Sequence, residues 1–437
     1  MSALLGRYFA RLERRHPWRW SGQVLQSVGQ TIESAGPLAS VGECCEIVDR
    51  GGVAHLAEVI GFRGSHVISM PIESTEGIRF GDTVTAWGMR PQIEAGPELM
   101  GRVLDALGQP IDGERLPEMS TALHLEGAVR SALERVPIRE PLGTGIRALD
   151  GLLTVGRGQR VGIFGGSGVG KSTMIGMMTR NTEADVTVVG LVGERGREVG
   201  EFLEHALGEE GRARSVVMVS TSDQSPLLRM RAALGATAVA EYFAAQGKHV
   251  LLVLDSLTRF AMAAREIGLA AGEPPTAKGY TPSVFTRLAK LVERAGNFRD
   301  GSITAFYTVL MEGDDLQDPL VDAVRSLLDG HVVLSRALAA EAWYPPVQVL
   351  DSISRLMPAV IDEEHRENAG LIRRLLAVYA RSEDLVRIGA YKPGADAELD
   401  RAIAARTALR AFLTQDAEEQ ARFDGTVNAL AALAAEV

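Results

Sequence analysis

The chain has 437 residues, is 46% hydrophobic and 23% charged, and carries a net charge of −10. That is enough chain for two or three globular domains, and the acidic balance argues against broad, non-specific nucleic-acid binding. Two adjacent cysteines (Cys44 and Cys45) cannot build a disulfide framework, and eight histidines without ligand spacing speak against a His/Cys metal centre. No apolar run has the length of a membrane span and no secretory leader is visible, so the chain reads as cytoplasmic.

Residues 1–21 depart from the acidic balance. Arg7, Arg11, Arg14, Arg15 and Arg19 are opposed only by Glu13, and Leu4, Leu5, Tyr8, Phe9 and Leu12 recur at helical spacing. Such a basic amphipathic segment suits an anionic lipid surface or a partner helix; a frayed, solvated terminus explains it equally well.

Over 22–92 short apolar runs alternate with Gly and Pro: Cys45–Val48, Ala57–Phe62, Val67–Met70 and Asp82–Trp87. This predicts a small β-barrel. Few exposed aromatics or basic residues accompany it, so a structural barrel fits better than a nucleic-acid platform. Residues 93–150 read as a connecting region with turn chemistry at 101–105 and 108–113.

Apolar strands then alternate with helices at 161–164, 186–192, 215–220, 249–254, 302–310 and 331–335. Near-continuous apolar strands separated by helices predict a mostly parallel sheet covered on both faces, with ligands at the carboxyl ends of its strands. Beyond about 357 the pattern is helical to residue 437: Leu371, Leu375, Val378 and Tyr379 share one face, with Arg373, Arg374 and Arg381 away from it. A further helix runs from Asp396 with Leu399 and Ile403 inward.

The chemistry concentrates at those strand ends. Val161–Phe164 leads into Gly165, Gly166, Ser167, Gly168, Val169, Gly170, Lys171, Ser172 and Thr173, matching G-x-x-x-x-G-K-[ST], and a helix opens from Thr173. A glycine-rich turn aims backbone N–H groups at phosphates without Cβ clashes, and the helix N-terminus adds its positive dipole end. Lys171 would reach the β- and γ-phosphates of ATP, and the Ser172 hydroxyl would ligate Mg²⁺. Leu251–Asp255 is an apolar strand ending in a carboxylate, which places Asp255 as a second magnesium group, direct or through water. Glu194 follows another strand, either to orient the attacking water or as a loop glutamate paired with Arg195 or Arg197. Arg355, in S-I-S-R at 352–355, is either a surface arginine or one inserted across a subunit boundary, and spacing does not choose.

Together these residues resemble the family of rotary ATP synthase catalytic subunits and their export relatives over nearly the whole chain, and most of all the flagellar type III protein-export branch. The likeness is carried by 165–173, V-G-E-R-G-R-E-V at 192–199, D-S-L-T-R-F-A-M-A at 255–263 and G-E-P-P-T-A-K-G-Y-T-P-S-V-F at 272–285. L-V-E-R-A-G-N at 291–297, E-G-D-D-L-Q-D-P at 312–319, D-G-H-V-V-L-S-R at 329–336 and S-I-S-R complete it. It implies an α/β chain with an N-terminal β-barrel (22–92), a RecA-like ATPase domain (93–356) and a helical C-terminal domain (357–437). It further implies Glu194 as the water-activating group, Arg195 near the γ-phosphate, Arg355 as an arginine finger acting in trans, and Tyr344 in W-Y-P-P packing on adenine.

The implied assembly is a homohexameric Mg-ATPase ring, peripheral at the inner-membrane export apparatus. Its implied partners are a stator or regulator protein on the N-terminal segment, a coiled-coil stalk in a pore lined by 268–282, and chaperone–substrate complexes. Three features depart from the family pattern. Gln348 stands where Asp is usual, Ala417 where a second adenine-facing aromatic is expected, and the acidic coupling motif is missing near 387–403. The last argues against a synthase subunit. The alternatives are a virulence injectisome ATPase, an RNA-translocating hexameric helicase, for which the barrel lacks an aromatic platform, and a non-catalytic ring subunit.

Overall fold

A computed structural model describes residues 19–119, 121–127, 130–311 and 318–437. The basic segment at 1–18 and residues 312–317 of the acidic motif lie outside the described residues.

The first unit is a closed six-stranded barrel of β1 (Ser21–Val28), β2 (Thr31–Ala35), β3 (Cys44–Val48), β4 (Ala54–Arg63), β5 (His66–Pro71) and β6 (Thr83–Ala86), ordered β1-β2-β5-β4-β3-β6. Side chains alternate across each strand, so Cys45 and Ile47, Ala57 and Val59, and Val24, Ile32, Val67 and Val84 fill the interior. Both cysteines are free and buried, and burial pushes the Cys45 thiol up to about 12. A buried ion pair, Arg231–Glu58 at 2.7 Å, ties the barrel to the next unit.

Strands β7 (Gln92–Ala95) and β9 (Thr121–His124) form an antiparallel pair beside β8 (Val103–Asp105). The central sheet adds β10 (Arg160–Gly165), β11 (Val186–Glu194), β12 (Ser215–Thr221), β13 (His249–Asp255), β14 (Ser302–Leu310), β15 (Gly330–Val333) and β16 (Ile353–Ser354). Its order is β16-β15-β10-β14-β13-β11-β12-β8, and every pairing along it is parallel except that of β16. Helices α1 (Lys171–Asn181), α2 (Pro226–Ala244), α3 (Leu257–Ala270), α4 (Pro282–Val292) and α5 (Pro319–Leu327) are interleaved with these strands. The central strands are buried along almost their whole length because helices cover both faces.

The chain ends in α6 (Glu363–Arg387), α7 (Ala397–Leu413) and α8 (Phe423–Glu436). Asp362 and Asp396 accept the first free N–H groups of α6 and α7 as caps. Ile372, Leu375, Leu409 and Phe412 share one apolar core with Leu149, Met174 and Val189 of the central unit. Arg147 clasps the two units, donating from its backbone N–H to Gln415 at 2.9 Å and from Nε to the Phe412 carbonyl at 3.0 Å.

Three expectations change. Strands β1 and β2 are not marked by the apolar runs of the barrel segment: along the eight residues of β1 only Val24 is buried, and β2 buries the polar Glu33 and Ser34 beside Ile32. Val103–Asp105, expected as turn, is the outermost parallel strand of the main sheet, held by Val217–Val219 of β12. Arg373 does not turn away from its helix's buried face, where Ile372 is fully covered and Leu371 only partly. Its guanidinium is half-buried and donates to the Ser352 carbonyl at 3.2 Å, which anchors α6 beside β16.

Candidate functional site

Strand β10 is buried between β14 and β15 and ends at the phosphate loop. Gly168 (φ 78°) and Gly170 (φ 92°) adopt the left-handed conformation that side chains resist, and they turn the loop onto α1. Val169 is 1% exposed and pins the loop to the core, while Ser167, Ser172 and Thr173 stay exposed. Gly170 caps α1 without a side chain, so the first N–H groups of the helix face the open loop.

Three parallel strand ends meet here. Lys171 Nζ lies 3.9 Å from Asp255 Oδ1 at the end of β13, and both side chains are almost wholly buried. The Thr308 hydroxyl of β14 donates to the same carboxylate oxygen at 2.6 Å, which fixes its orientation. Glu194 closes β11 next to β13, where β11 registers Leu191 against Asp255. Burial first, and then the negative charge of Asp255, push its carboxyl up to about 7; Arg259 and Lys171 oppose the shift. A hydrogen bond with Glu194 holds Glu198 below the usual carboxylate range.

The structure removes one alternative for Glu194. Arg195 pairs with Glu198 at 3.2 Å and Arg197 with Glu201, so neither neutralises it. The cation beside Glu194 is Arg259 of α3, at 3.9 Å, with a buried Nε that has no hydrogen-bond partner. Arg259 was not singled out in the sequence, although it stands in the same D-S-L-T-R motif as Asp255. Thr308 carried no signal, being one apolar-strand residue among several.

Beside the loop opens a cavity of about 550 Å³, lined among others by Gly170, Met174, Met177, Tyr344, Gln415 and Ala417. Tyr344 is half exposed, and its ring edge would lie 3.8 Å from a Cβ placed on Gly170. Ala417, a small side chain, is another of its lining residues. Among the described residues no cluster of three His, Cys, Asp or Glu side chains could hold a metal ion. The oxygen donors near the loop are the Ser172 hydroxyl and the Asp255 carboxylate, a hard-donor set suited to an ion carried in with phosphates.

Two sequence candidates are not brought to this corner. Arg195 is 72% exposed and turned to Glu198. Arg355 is exposed just past β16, and its N–H donates to the Asp329 carbonyl at 3.0 Å. Ser354 pairs with Gly330, and His331 registers with Gly162, so Arg355 stands at the amino end of the sheet. At about 3.3 Å per residue it is more than about 10 Å along β10 from its own phosphate loop.

Comparisons with known proteins agree with this geometry. Residues 145–354 match the ATP synthase alpha/beta family, nucleotide-binding domain; 24–88 match its beta-barrel domain; and 361–432 match the T3SS EscN ATPase C-terminal domain. A flagellum-specific ATP synthase of Treponema pallidum is 54% identical over 98% of this chain and 96% of its own. A type 3 secretion system ATPase of Xanthomonas euvesicatoria is 47% identical over 94% of this chain and 93% of its own. The assembled ATPase EscN of the enteropathogenic E. coli type III secretion system superposes with a TM-score of 0.90 at 42% identity, covering 94% of this chain and 100% of that one.

The raised Glu194 carboxyl has a measurable consequence. Between its ordinary value of 4.5 and about 7, the folded chain holds a proton that the unfolded chain releases, so this group lowers stability as pH rises through that window. Glu194→Gln mimics the protonated form. Its thermal midpoint should exceed that of the unsubstituted protein at pH 8 and match it near pH 4.5, as read by circular dichroism.

Proposed function

The chain belongs to the ATP synthase alpha/beta family, in its type III secretion branch, and from that premise we propose that it is the ATPase that energises flagellar protein export. It is an ATP-hydrolysing enzyme of that family. What most supports the flagellar reading is likeness over almost the whole chain: 54% identity to the Treponema protein and 49% to a flagellum-specific ATP synthase of Bacillus subtilis.

In this reading the chain works as a homohexameric ring with each nucleotide between two subunits. The adenine lies in the cavity against Tyr344, and the small side chain of Ala417 leaves selectivity for adenine loose. The backbone N–H groups of 165–173 hold the phosphates, and Lys171 follows the charge of the γ-phosphoryl group as it leaves. Ser172 and Asp255 would hold Mg²⁺, which would supply charge neutralisation at the phosphates. Glu194 orients the water for in-line attack, with a carboxyl already poised near neutrality to take its proton. Arg259 holds the Glu194 carboxylate in place before it takes that proton, and Arg195 swings toward the γ-phosphate from its exposed position. Arg355 of one subunit serves the neighbour's site; its placement at the opposite end of its own sheet supports a role in trans.

Hydrolysis then drives loop movements that unload chaperoned export substrates. Assembled EscN has been solved in complex with its central stalk, EscO, and a matching stalk would enter a pore lined by 268–282 of this ring. A regulator docks on residues 1–18, outside the described residues. No helix among the described residues is long and apolar enough to cross a membrane, so contact with the export apparatus would be peripheral.

Glu194→Gln should reduce turnover by about 10³-fold or more while a fluorescent ATP analogue still binds; retained turnover removes Glu194 from its role. Rings of Lys171→Ala subunits alone, and of Arg355→Ala subunits alone, should be inactive. Co-assembling the two variants should restore activity, because a site with an intact loop then meets an intact finger. No restoration at any mixing ratio would place Arg355 in cis or outside catalysis.

A further inference from the structure

Gln159 immediately precedes β10 and is fully buried, at 0% exposed. A buried amide must satisfy both its N–H groups and its carbonyl, and this one does so with partners from three separate segments. Its Oε1 accepts from the Gly156 N–H at 2.8 Å. Its Nε2 donates to Ser354 Oγ at 3.0 Å and to the Asp329 carbonyl at 3.1 Å. The same Asp329 carbonyl accepts the Arg355 N–H at 3.0 Å, and Ser354 donates onward to the Thr154 carbonyl at 2.7 Å. The residue before the arginine is therefore bonded to the glutamine directly, and the arginine's own N–H shares the Asp329 carbonyl with it.

The packing leaves no slack in this fastening. A Cβ on Gly330 would stand 2.6 Å from the Ile353 carbonyl and 3.3 Å from Gln159 Nε2, so only glycine lets the finger strand approach this closely. Asp329 is itself fixed on Arg160, the first residue of β10, through Nε at 3.0 Å. Strand β10 then runs without interruption to Gly165 and the phosphate loop. One short, buried strand carries the loop at its carboxyl end and the arginine clamp at its amino end, about 20 Å apart at about 3.3 Å per residue.

We propose that Gln159, through Ser354 and Asp329, is the positioning residue for Arg355, so that a defect at Gln159 is felt in the neighbouring subunit's site and not in the subunit's own. This rests on the reading of Arg355 as acting in trans. A misplacement of about 1 Å in a group that stabilises the transition state can cost about 10²-fold in rate. Rings of Gln159→Leu should accordingly lose about 10- to 100-fold in kcat with KM for ATP changed by less than about twofold.

Mixed rings separate positioning from general damage. In a ring of Lys171→Ala and Arg355→Ala subunits, hydrolysis occurs on the Arg355→Ala subunit with a finger from its Lys171→Ala neighbour. Gln159→Leu placed in the Lys171→Ala subunit should cut the restored activity by the same factor of about 10 to 100. The same change placed in the Arg355→Ala subunit should leave it within about twofold. Equal loss, or equal retention, in the two arrangements overturns the proposal. Ser354→Ala, which removes one hydroxyl on a half-buried strand, should repeat the asymmetry more weakly and serves if Gln159→Leu subunits do not assemble. If the parent mixture without any Gln159 change stays inactive, the reading of Arg355 in trans has failed, and the proposal falls with it.

Discussion

A single buried corner constrains the molecule: one lysine and two carboxylates held where parallel strands β10, β11 and β13 end. Lys171 faces Asp255 at 3.9 Å and Arg259 faces Glu194 at 3.9 Å, yet together they do not outweigh the burial of the Glu194 carboxyl. Charges in a low-dielectric site either find partners or change protonation, and Glu194 does the second. The corner also presents the open backbone N–H groups at the start of α1 to phosphate. In the proposed function, Mg²⁺ and the neighbour's arginine would complete the site from outside the chain.

The sheet gives the corner its second property, polarity. Every strand that carries a site residue runs the same way, so loop, Asp255 and Glu194 collect at one end. The antiparallel strand β16 brings Arg355 to the other. In a single subunit those ends cannot meet across the length of β10. In the proposed ring they would meet, each subunit giving its loop to one site and its arginine to the next. The buried Arg231–Glu58 pair and the Arg147 clasp join barrel and helical domain to this sheet.

Much of this was legible in the sequence, because it rests on local rules. The phosphate loop needs glycines at fixed offsets, and the parallel strands need unbroken apolar runs; both are visible in R-V-G-I-F-G-G-S-G-V-G-K-S-T. Asp255 announced itself as a carboxylate closing such a run, and the barrel, the sheet and the helical end were readable from periodicity. What stayed hidden depends on pairing across distance. Val103–Asp105 is too short to show its period, and only β12 makes it a strand. Arg259 and Thr308 gain meaning from facing Glu194 and Asp255. Gln159, a polar residue after Gly-Arg-Gly, looks like a turn until its three partners are seen. The pairing of Glu194 with Arg195 or Arg197 was open in sequence and is settled by geometry, since both arginines take other partners.

The central claim is that the catalytic site is shared between subunits. It is tested most directly by measuring ATPase rate per subunit while the protein is diluted and its oligomeric state is followed by mass photometry. A shared site predicts that the rate per subunit tracks the fraction in rings and falls by about 10³-fold or more when only monomers remain. A rate per subunit that stays constant from rings down to isolated monomers would contradict the account.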